Sequence, residues 1–346
     1  MSKNKKTLSA SRIKTLENCS WYYWCNYHLK LPQKNNAGAL RGTICHLVFE
    51  LLLDPKHKKH YDAIIKKKSI KGSPAVDRLV TKHLMKEGLW EDEGEENHYS
   101  LCGKMIMTGL KSDFFCEGGE LLDPEYYFNL DSKDPEYKAL GYIDKAAIYK
   151  DDGVVKITDY KSSKSKFEGD DLSFNIQAMI YSLVAMKTWP DLKPKVEFKF
   201  LRFANDPTQT LEFEEDELKG MEYYLAQCYE IINNFDEDKA ESNYAADKPW
   251  PTKAQGFKGP LSCGFAKHKG QLKKDGSPMW HCPFKFDFEY YALVNQDGEV
   301  VKTAFDKKDL KKLPKHKGHE KIEKMHYEGC PRHRTFQNEA EDDFWA

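Results

Sequence analysis

The chain has 346 residues, about 40% of them hydrophobic, and a formal net charge of −1. That is enough for a real core and one or two domains. The near-neutral charge excludes the global basic field of a passive nucleic-acid coat protein, so phosphate binding would fall to local Lys and Arg clusters. No stretch is long and apolar enough to span a membrane, and the opening MSKNKKTLSASR lacks an apolar signal core. Nine cysteines without a signal peptide imply a reducing, cytoplasmic setting, with thiols buried or on metal rather than in disulfides. No Gly-x-x-x-x-Gly-Lys-Ser/Thr loop is present, so no helicase motor is attached.

In chain order, Ser9 or Ser11 can cap a helix running to about Tyr27. Its second half, Cys19 to Cys25, is densely aromatic and suits core packing or base stacking. Arg41 to Leu53 forms a second helix with His46 and Glu50 one turn apart on one face. Gly42 would let a neighbouring backbone approach closely. Residues 54–120 are Lys-rich and helical, broken at Pro55 and Gly72-Ser-Pro74. The basic runs there and at Lys307 to Lys324 are solvated helix faces or a DNA-tracking rim. Leu121 to Leu130 is a strand whose Glu125 is either a further candidate carboxylate or a plain surface residue, and Asp131 to Pro135 is a loop.

Gly141 to Lys161 is the most informative stretch. Two runs rich in β-branched and aromatic residues, Tyr142–Tyr149 and Val154–Tyr160, flank Lys150-Asp-Asp-Gly153, a strong hairpin signal. Alternation puts Asp159 and Lys161 on one face and Tyr160 on the other. A two-residue loop at either Asp152-Gly153 or Asp151-Asp152 brings Asp144 to the face of Asp159; a three-residue loop would part them. Facing carboxylates repel, so the stretch is either a wet hairpin with scattered charges or a site where a divalent cation sits between them. If repulsion is the whole story, Asp159→Ala is slightly stabilising in metal-free buffer. A hard cation takes carboxylate oxygens, and a nearby ammonium can orient water and offset phosphate charge.

Beyond it, Ser162 to Lys166 is a polar loop. Asp171 to Lys187 is an amphipathic helix with Gln177 and Tyr181 on one face, beside Phe174 and Val184. Lys195 to Ala204 alternates as a strand with Val196, Phe198 and Phe200 inward, Leu211 to Phe213 can pair with it, and Asp216 to Asn234 is a long helix. The core is then a mixed sheet with strands near 121, 141, 154 and 196 and helices on its faces. After an irregular linker from Pro249 come Cys263, Cys282 and Cys330, with His268, His281 and His333 nearby. Phe284 to Thr303 forms another hairpin, turned at Gln296-Asp-Gly298.

Asp144 followed by Asp159-x-Lys161 at the end of the next strand resembles the core of the PD-(D/E)xK nucleases. Gly42-Thr-Ile-Cys-His46 and Gln177-Ala-Met-Ile-Tyr181 resemble the Gly-x-x-x-His and Gln-x-x-x-Tyr helix motifs of its RecB-like branch, which includes AddB-type and CRISPR-adaptation nucleases. The resemblance implies an α/β fold with a restriction-endonuclease-like mixed central sheet flanked by helices. It implies a nuclease core over 1–250 with a helical insertion at about 54–120, and a Cys-rich C-terminal region, 251–346, packed back on the N-terminal helix. Asp144, Asp159 and His46, with Glu125, would hold magnesium or manganese. Lys161 would position water and stabilise phosphorane charge, with Gln177 and Tyr181 near the scissile strand. In iron–sulfur members an N-terminal Cys joins C-terminal ones. Cys19, Cys263, Cys282 and Cys330 would then hold a 4Fe–4S cluster or, equally, zinc; unligated thiols are the alternative. Here Ser20 follows Cys19 where those members usually have Pro, and Ala266 stands where a second Cys-x-x-Cys ligand would. The implied activity is a DNA exonuclease acting at ends or single strands in repair, recombination or replication, with a helicase or recombination protein in trans. The alternatives are a structure-specific endonuclease, a CRISPR-type end trimmer, or a non-catalytic nucleic-acid-binding scaffold.

Overall fold

A computed structural model describes residues 6–34, 36–90, 97–111, 113–245, 281–311 and 320–333. In chain order the elements are α1 (Ala10–Asn18), α2 (Ser20–Tyr23), a π-helical turn (Trp24–His28), α3 (Ala37–Leu53), α4 (Lys58–Lys67), α5 (Pro74–Lys86) and α6 (His98–Lys111). Strands β1 (Glu120–Leu121), β2 (Tyr126–Lys133), β3 (Glu136–Ile143), β4 (Lys145–Tyr149) and β5 (Val154–Lys161) follow. Then come α7 (Asp170–Ser173), α8 (Ile176–Thr188), β6 (Lys193–Phe200), β7 (Thr208–Leu211), α9 (Glu215–Asn233) and α10 (Glu237–Ala240). The last elements are β8 (Phe288–Val294), β9 (Val300–Ala304), α11 (Lys307–Lys311) and β10 (Lys321–Tyr327). Among the described residues no helix is long and apolar enough to cross a membrane.

The chain divides into two compact units: residues 1–10 with 35–230, and residues 11–34 with 231–346. The division falls inside α9, and residues 11–34 belong with the C-terminal ones.

The first unit holds a five-stranded mixed sheet in the order β1-β4-β5-β6-β7. β5 pairs antiparallel with β4 and parallel with β6, so it is central. Both faces of β5 are covered, and its Val155, Ile157, Thr158, Asp159 and Tyr160 are all buried. The crossover that a parallel pair requires is supplied by α8. This is the mixed α/β architecture expected from the sequence. β2 and β3 form a separate two-stranded sheet.

Three expectations need correcting. The run Tyr142–Tyr149 is not one strand: it breaks at Asp144, ending β3 and starting β4 in different sheets. Asp131–Lys133 is strand rather than loop, and the turn is confined to Asp134 and Pro135. The helix read over Asp171–Lys187 is interrupted where Asn175 caps α8 by accepting from the Ala178 N–H at 3.0 Å; Phe174 falls outside α8 and is 48% exposed. α8 itself is apolar nearly all round, as a helix buried on all sides must be. The Lys-rich helices between 54 and 111 share one core with α3: Leu52, Ile64, Val76, Val80, Ile106 and Leu110 pack together with Phe49 and with Tyr160 of β5. They are part of the first unit's body, because each turns an apolar stripe inward and its lysines outward.

In the second unit the sheet order is β10-β8-β9, the hairpin turned after Asn295 as expected. Its core joins Trp21, Cys25 and Leu31 to Phe284, Tyr290, Val294 and Tyr327. Trp21 Nε1 donates to the Tyr327 hydroxyl at 2.8 Å, and Tyr327 donates to the Phe284 carbonyl at 3.0 Å.

The crossing of α3 and α6 depends on Gly109, where an added Cβ would fall 2.3 Å from the ring tip of Phe49. Phe49 is itself wedged against Tyr160, ring centroids 4.3 Å apart. Overpacking of this kind costs about 1–3 kcal/mol. Gly109→Ala is therefore expected to lower the urea midpoint, and Phe49→Leu added to it to recover part of the loss. A Gly109→Ala protein as stable as the parent would show that the helices separate without cost.

Candidate active site

The site is built on the backbone of Tyr160. Its N–H donates to Asp144 Oδ2 at 2.7 Å, and its carbonyl lies 3.0 Å from His46 Nε2. A carbonyl only accepts, so Nε2 carries the hydrogen and Nδ1 is turned to Asp144 Oδ1 at 3.2 Å. α3 delivers His46: Asn36 caps its start by accepting from the Ala39 N–H at 2.7 Å. Gly42 lies against Ser162, just after β5, with an added Cβ 2.8 Å from its hydroxyl. The close neighbour is thus a side chain, not the backbone expected. Burial lowers the His46 pKa, but the hydrogen bond and charge of Asp144, with Asp159 behind it, outweigh this and raise it to about 9.

β4 and β5 pair with Tyr149 opposite Val154 and Lys145 opposite Thr158. The next position on that register sets Asp144 opposite Asp159, the pairing of the Asp151-Asp152 loop. Asp159 is 3% exposed. Its Oδ1 accepts from Gln177 Nε2 at 2.7 Å and lies 3.2 Å from the Tyr181 hydroxyl, while Oδ2 forms an ion pair with Lys161 Nζ at 2.7 Å. Lys161 also donates to Gln177 Oε1 at 2.6 Å, so Gln177 bridges the acid and the amine. Gln177 Nε2 and the Tyr181 hydroxyl are 2.8 Å apart, and that hydroxyl lies 2.9 Å from the Tyr142 carbonyl. Burial, then the Asp144 charge, raise the Asp159 pKa; Lys161 and His46 oppose them. Lys161 thus accounts for stability that repulsion alone would miss. Removing Asp159 leaves a cation and two donors unmatched, which reverses the expectation that Asp159→Ala is stabilising.

One group of three or more candidate metal ligands converges among the described residues: His46, Glu125 and Asp144, with donor atoms within 4.8 Å of one another. Glu125 enters it from the residue before β2, at φ 53°, with its N–H on the Asp144 carbonyl at 3.2 Å. Burial and the Asp144 charge raise its pKa. Asp159 is not one of this trio, and its Oδ2 faces the Lys161 ammonium. Its Oδ2 is nevertheless buried and accepts no well-directed hydrogen bond. Three carboxylates and one imidazole fit a hard divalent cation. The sequence hid the part played by the Tyr160 and Tyr142 backbone, since backbone groups leave no residue-type signal.

Of the four cysteines read as a set, Cys263 lies outside the described residues. Cys19, Cys282 and Cys330 are half-buried against the aromatic core of the second unit. The Cys330 N–H meets the Lys285 carbonyl at 3.3 Å, and the Lys285 N–H meets the Cys282 carbonyl at 3.1 Å, so these two segments are tied together. Cys25 is buried in that same core with Sγ 3.5 Å from the Tyr327 hydroxyl.

Comparison with known proteins gives the family. The PD-(D/E)XK nuclease superfamily matches over residues 7–266, and the chain belongs to that superfamily. Among solved structures, a "putative exonuclease" from Eubacterium rectale is similar at 14% sequence identity and a TM-score of 0.44, covering 71% of this chain and 91% of that one. No curated protein matches.

The site predicts graded metal binding. Loss of a group that only supports a metal ligand costs about 10–100-fold in affinity. Asp144→Asn is expected to weaken manganese binding by at least that range, and Gln177→Leu to fall within it, as read by calorimetry. Unchanged manganese affinity in Asp144→Asn would remove this residue from the metal site.

Proposed function

We propose that the protein is a metal-dependent DNA exonuclease of the RecB-like type, hydrolysing phosphodiester bonds at DNA ends or in single strands. The observation that carries the reading is the juxtaposition of the His46–Glu125–Asp144 trio with Lys161, whose ammonium is oriented by Gln177 and Asp159. The positions of Gly42 with His46 and of Gln177 with Tyr181 around one centre support the RecB-like assignment.

His46, Glu125, Asp144 and Asp159 would hold magnesium or manganese. When bound, the ion supplies the charge that polarises a phosphodiester and acidifies water. Lys161 offsets the charge that builds on the phosphorus oxygens and orients the attacking water. Gln177 sets the height of Lys161 by holding both it and its counter-ion. Tyr181 fixes Gln177 and excludes water from behind Asp159. His46, locked by the Tyr160 carbonyl, presents Nδ1 and cannot rotate away.

The test is cleavage of labelled DNA as single strands, blunt duplex, blocked ends and closed circles, with magnesium, manganese or chelator. Linear substrates are expected to be degraded and circles spared. Cutting of circles would make the protein an endonuclease, and binding without cutting under any metal a scaffold. Asp159→Ala and Lys161→Ala, shown to be folded by circular dichroism, are expected to lose cleavage; full activity in either would sink the assignment.

A second, separate proposal concerns the thiols. Cys19, Cys282 and Cys330 with Cys263 would hold a 4Fe–4S cluster or zinc, a reading supported by the shared aromatic core of the three described. Anaerobically purified protein is expected to contain iron with sulfide, or stoichiometric zinc, and each Cys→Ser variant to lose metal and stability together. Metal-free protein of unchanged melting temperature would leave these cysteines as packing.

A further inference from the structure

Two tyrosines flank the candidate active site without entering it. Tyr127 of β2 and Tyr142 of β3 are cross-strand partners. Their ring centroids are 5.3 Å apart, the planes inclined at 53°. They are 51% and 55% exposed, while Phe128, Leu130 and Ile143 on the opposite side of the same hairpin are buried. The hairpin therefore secures itself with one face and offers two uncovered rings on the other.

Their position gives the rings a ligand. The Glu125 N–H on the Asp144 carbonyl continues the β2–β3 pairing by one step beyond Tyr126 and Ile143. The pair Glu125/Asp144 thus stands two residues along from the pair Tyr127/Tyr142. Glu125 and Asp144 lie just outside the two strands, and each tyrosine is two residues from one of them, so its Cα is at most about 7 Å from that of a member of the trio at 3.3–3.4 Å per residue. Along one nucleic-acid strand that is about two stacked steps of 3.4 Å. The Tyr142 backbone is also anchored to the centre, since its carbonyl lies 2.9 Å from the Tyr181 hydroxyl. Every base has a π-face that stacks on an aromatic ring whatever its sequence, but in a duplex those faces are already covered by neighbouring pairs.

We propose that Tyr127 and Tyr142 form a stacking platform for unpaired bases beside the phosphate to be cut. The substrate of this site is then a single strand or a frayed end, engaged by its bases. The proposal rests on the nuclease reading above and refines its substrate class.

Binding without cutting separates the two. With calcium in place of magnesium, fluorescence anisotropy measures the affinity of the full chain for a labelled oligothymidine strand, for a blunt duplex, and for a strand of abasic residues. Tyr127→Ala and Tyr142→Ala are each expected to weaken single-strand binding by about tenfold, the scale of one base–aromatic stack. The duplex and the abasic strand should be insensitive to both changes, and Tyr127→Phe and Tyr142→Phe should bind like the parent. Melting temperatures should not move, because both rings are exposed. Unchanged single-strand affinity in the Ala variants overturns the platform. So does equal weakening on the abasic strand, equal weakening on the duplex, or a Phe variant as weak as the Ala variant. A parent that does not bind single strands overturns it too. Absence of cleavage in magnesium with these binding differences intact would sink the nuclease reading and leave the platform standing.

Discussion

The carboxylate of Asp144 is the tie on which the rest depends. It sits where the chain leaves one sheet and enters another, between Ile143 and Lys145. One oxygen takes the Tyr160 N–H of the central strand and the other takes His46 from α3. His46 closes the ring by turning its second nitrogen to the Tyr160 carbonyl. Two strands and a helix are thereby locked around a single residue's peptide groups. The same side chain that would hold a cation also stands in for ladder hydrogen bonding at the broken strand end.

Charge explains why the site's pKa values move together. Glu125, Asp144 and Asp159 are three carboxylates, answered by His46 and Lys161. Burial and the Asp144 charge raise Asp159 and Glu125, and the carboxylates raise His46 to about 9 against the lowering effect of burial. Raised acids and a raised base in one place signify surplus negative charge in a partly dry setting. Protons can relieve that surplus, and so can a divalent cation. An ion competes best where carboxylate oxygens already converge in a partly dry setting, as on Glu125 and Asp144. This is the physical link between the electrostatics of the centre and the metal chemistry of the superfamily.

Much of the centre was legible because strand alternation and turn length are local rules. They placed Asp159 and Lys161 together, sent Tyr160 the other way into the core beside Phe49, and brought Asp144 opposite Asp159. The helix motifs around His46 and Gln177 were also local, and both helices bring them in. What escaped was set by partners far along the chain. The break at Asp144 follows from β2 capturing β3, and a run of β-branched and aromatic residues carries no mark of which sheet it joins. The division between Asp159 and the trio follows from Lys161 choosing Asp159 and Gln177. The sequence shows charge type but not which cation each carboxylate faces. The helices between 54 and 111 read as a Lys-rich insertion, and composition does not show that their sparse apolar stripe joins the core of α3.

The register of β4 decides whether any of this survives. Side chains alternate, so a slip of one residue would carry Asp144 to the face of the sheet where Lys145 now lies and Lys145 into the metal centre. Lys145 opposes that slip. It is 1% exposed, and its ammonium donates to the Asp113 and Phe114 carbonyls, both at 3.2 Å. Burial lowers its pKa, so the position is costly for a lysine, and the two carbonyls are what make it tolerable. Ala146 and Ile148 on the other face pull the same way, being buried where a shifted strand would present Lys145 and Ala147. A buried cation with fixed acceptors specifies register more sharply than a methyl group can, because its misplacement leaves both a charge and two carbonyls unsatisfied. The neighbouring acid is held in the active centre by a base that takes no part in it.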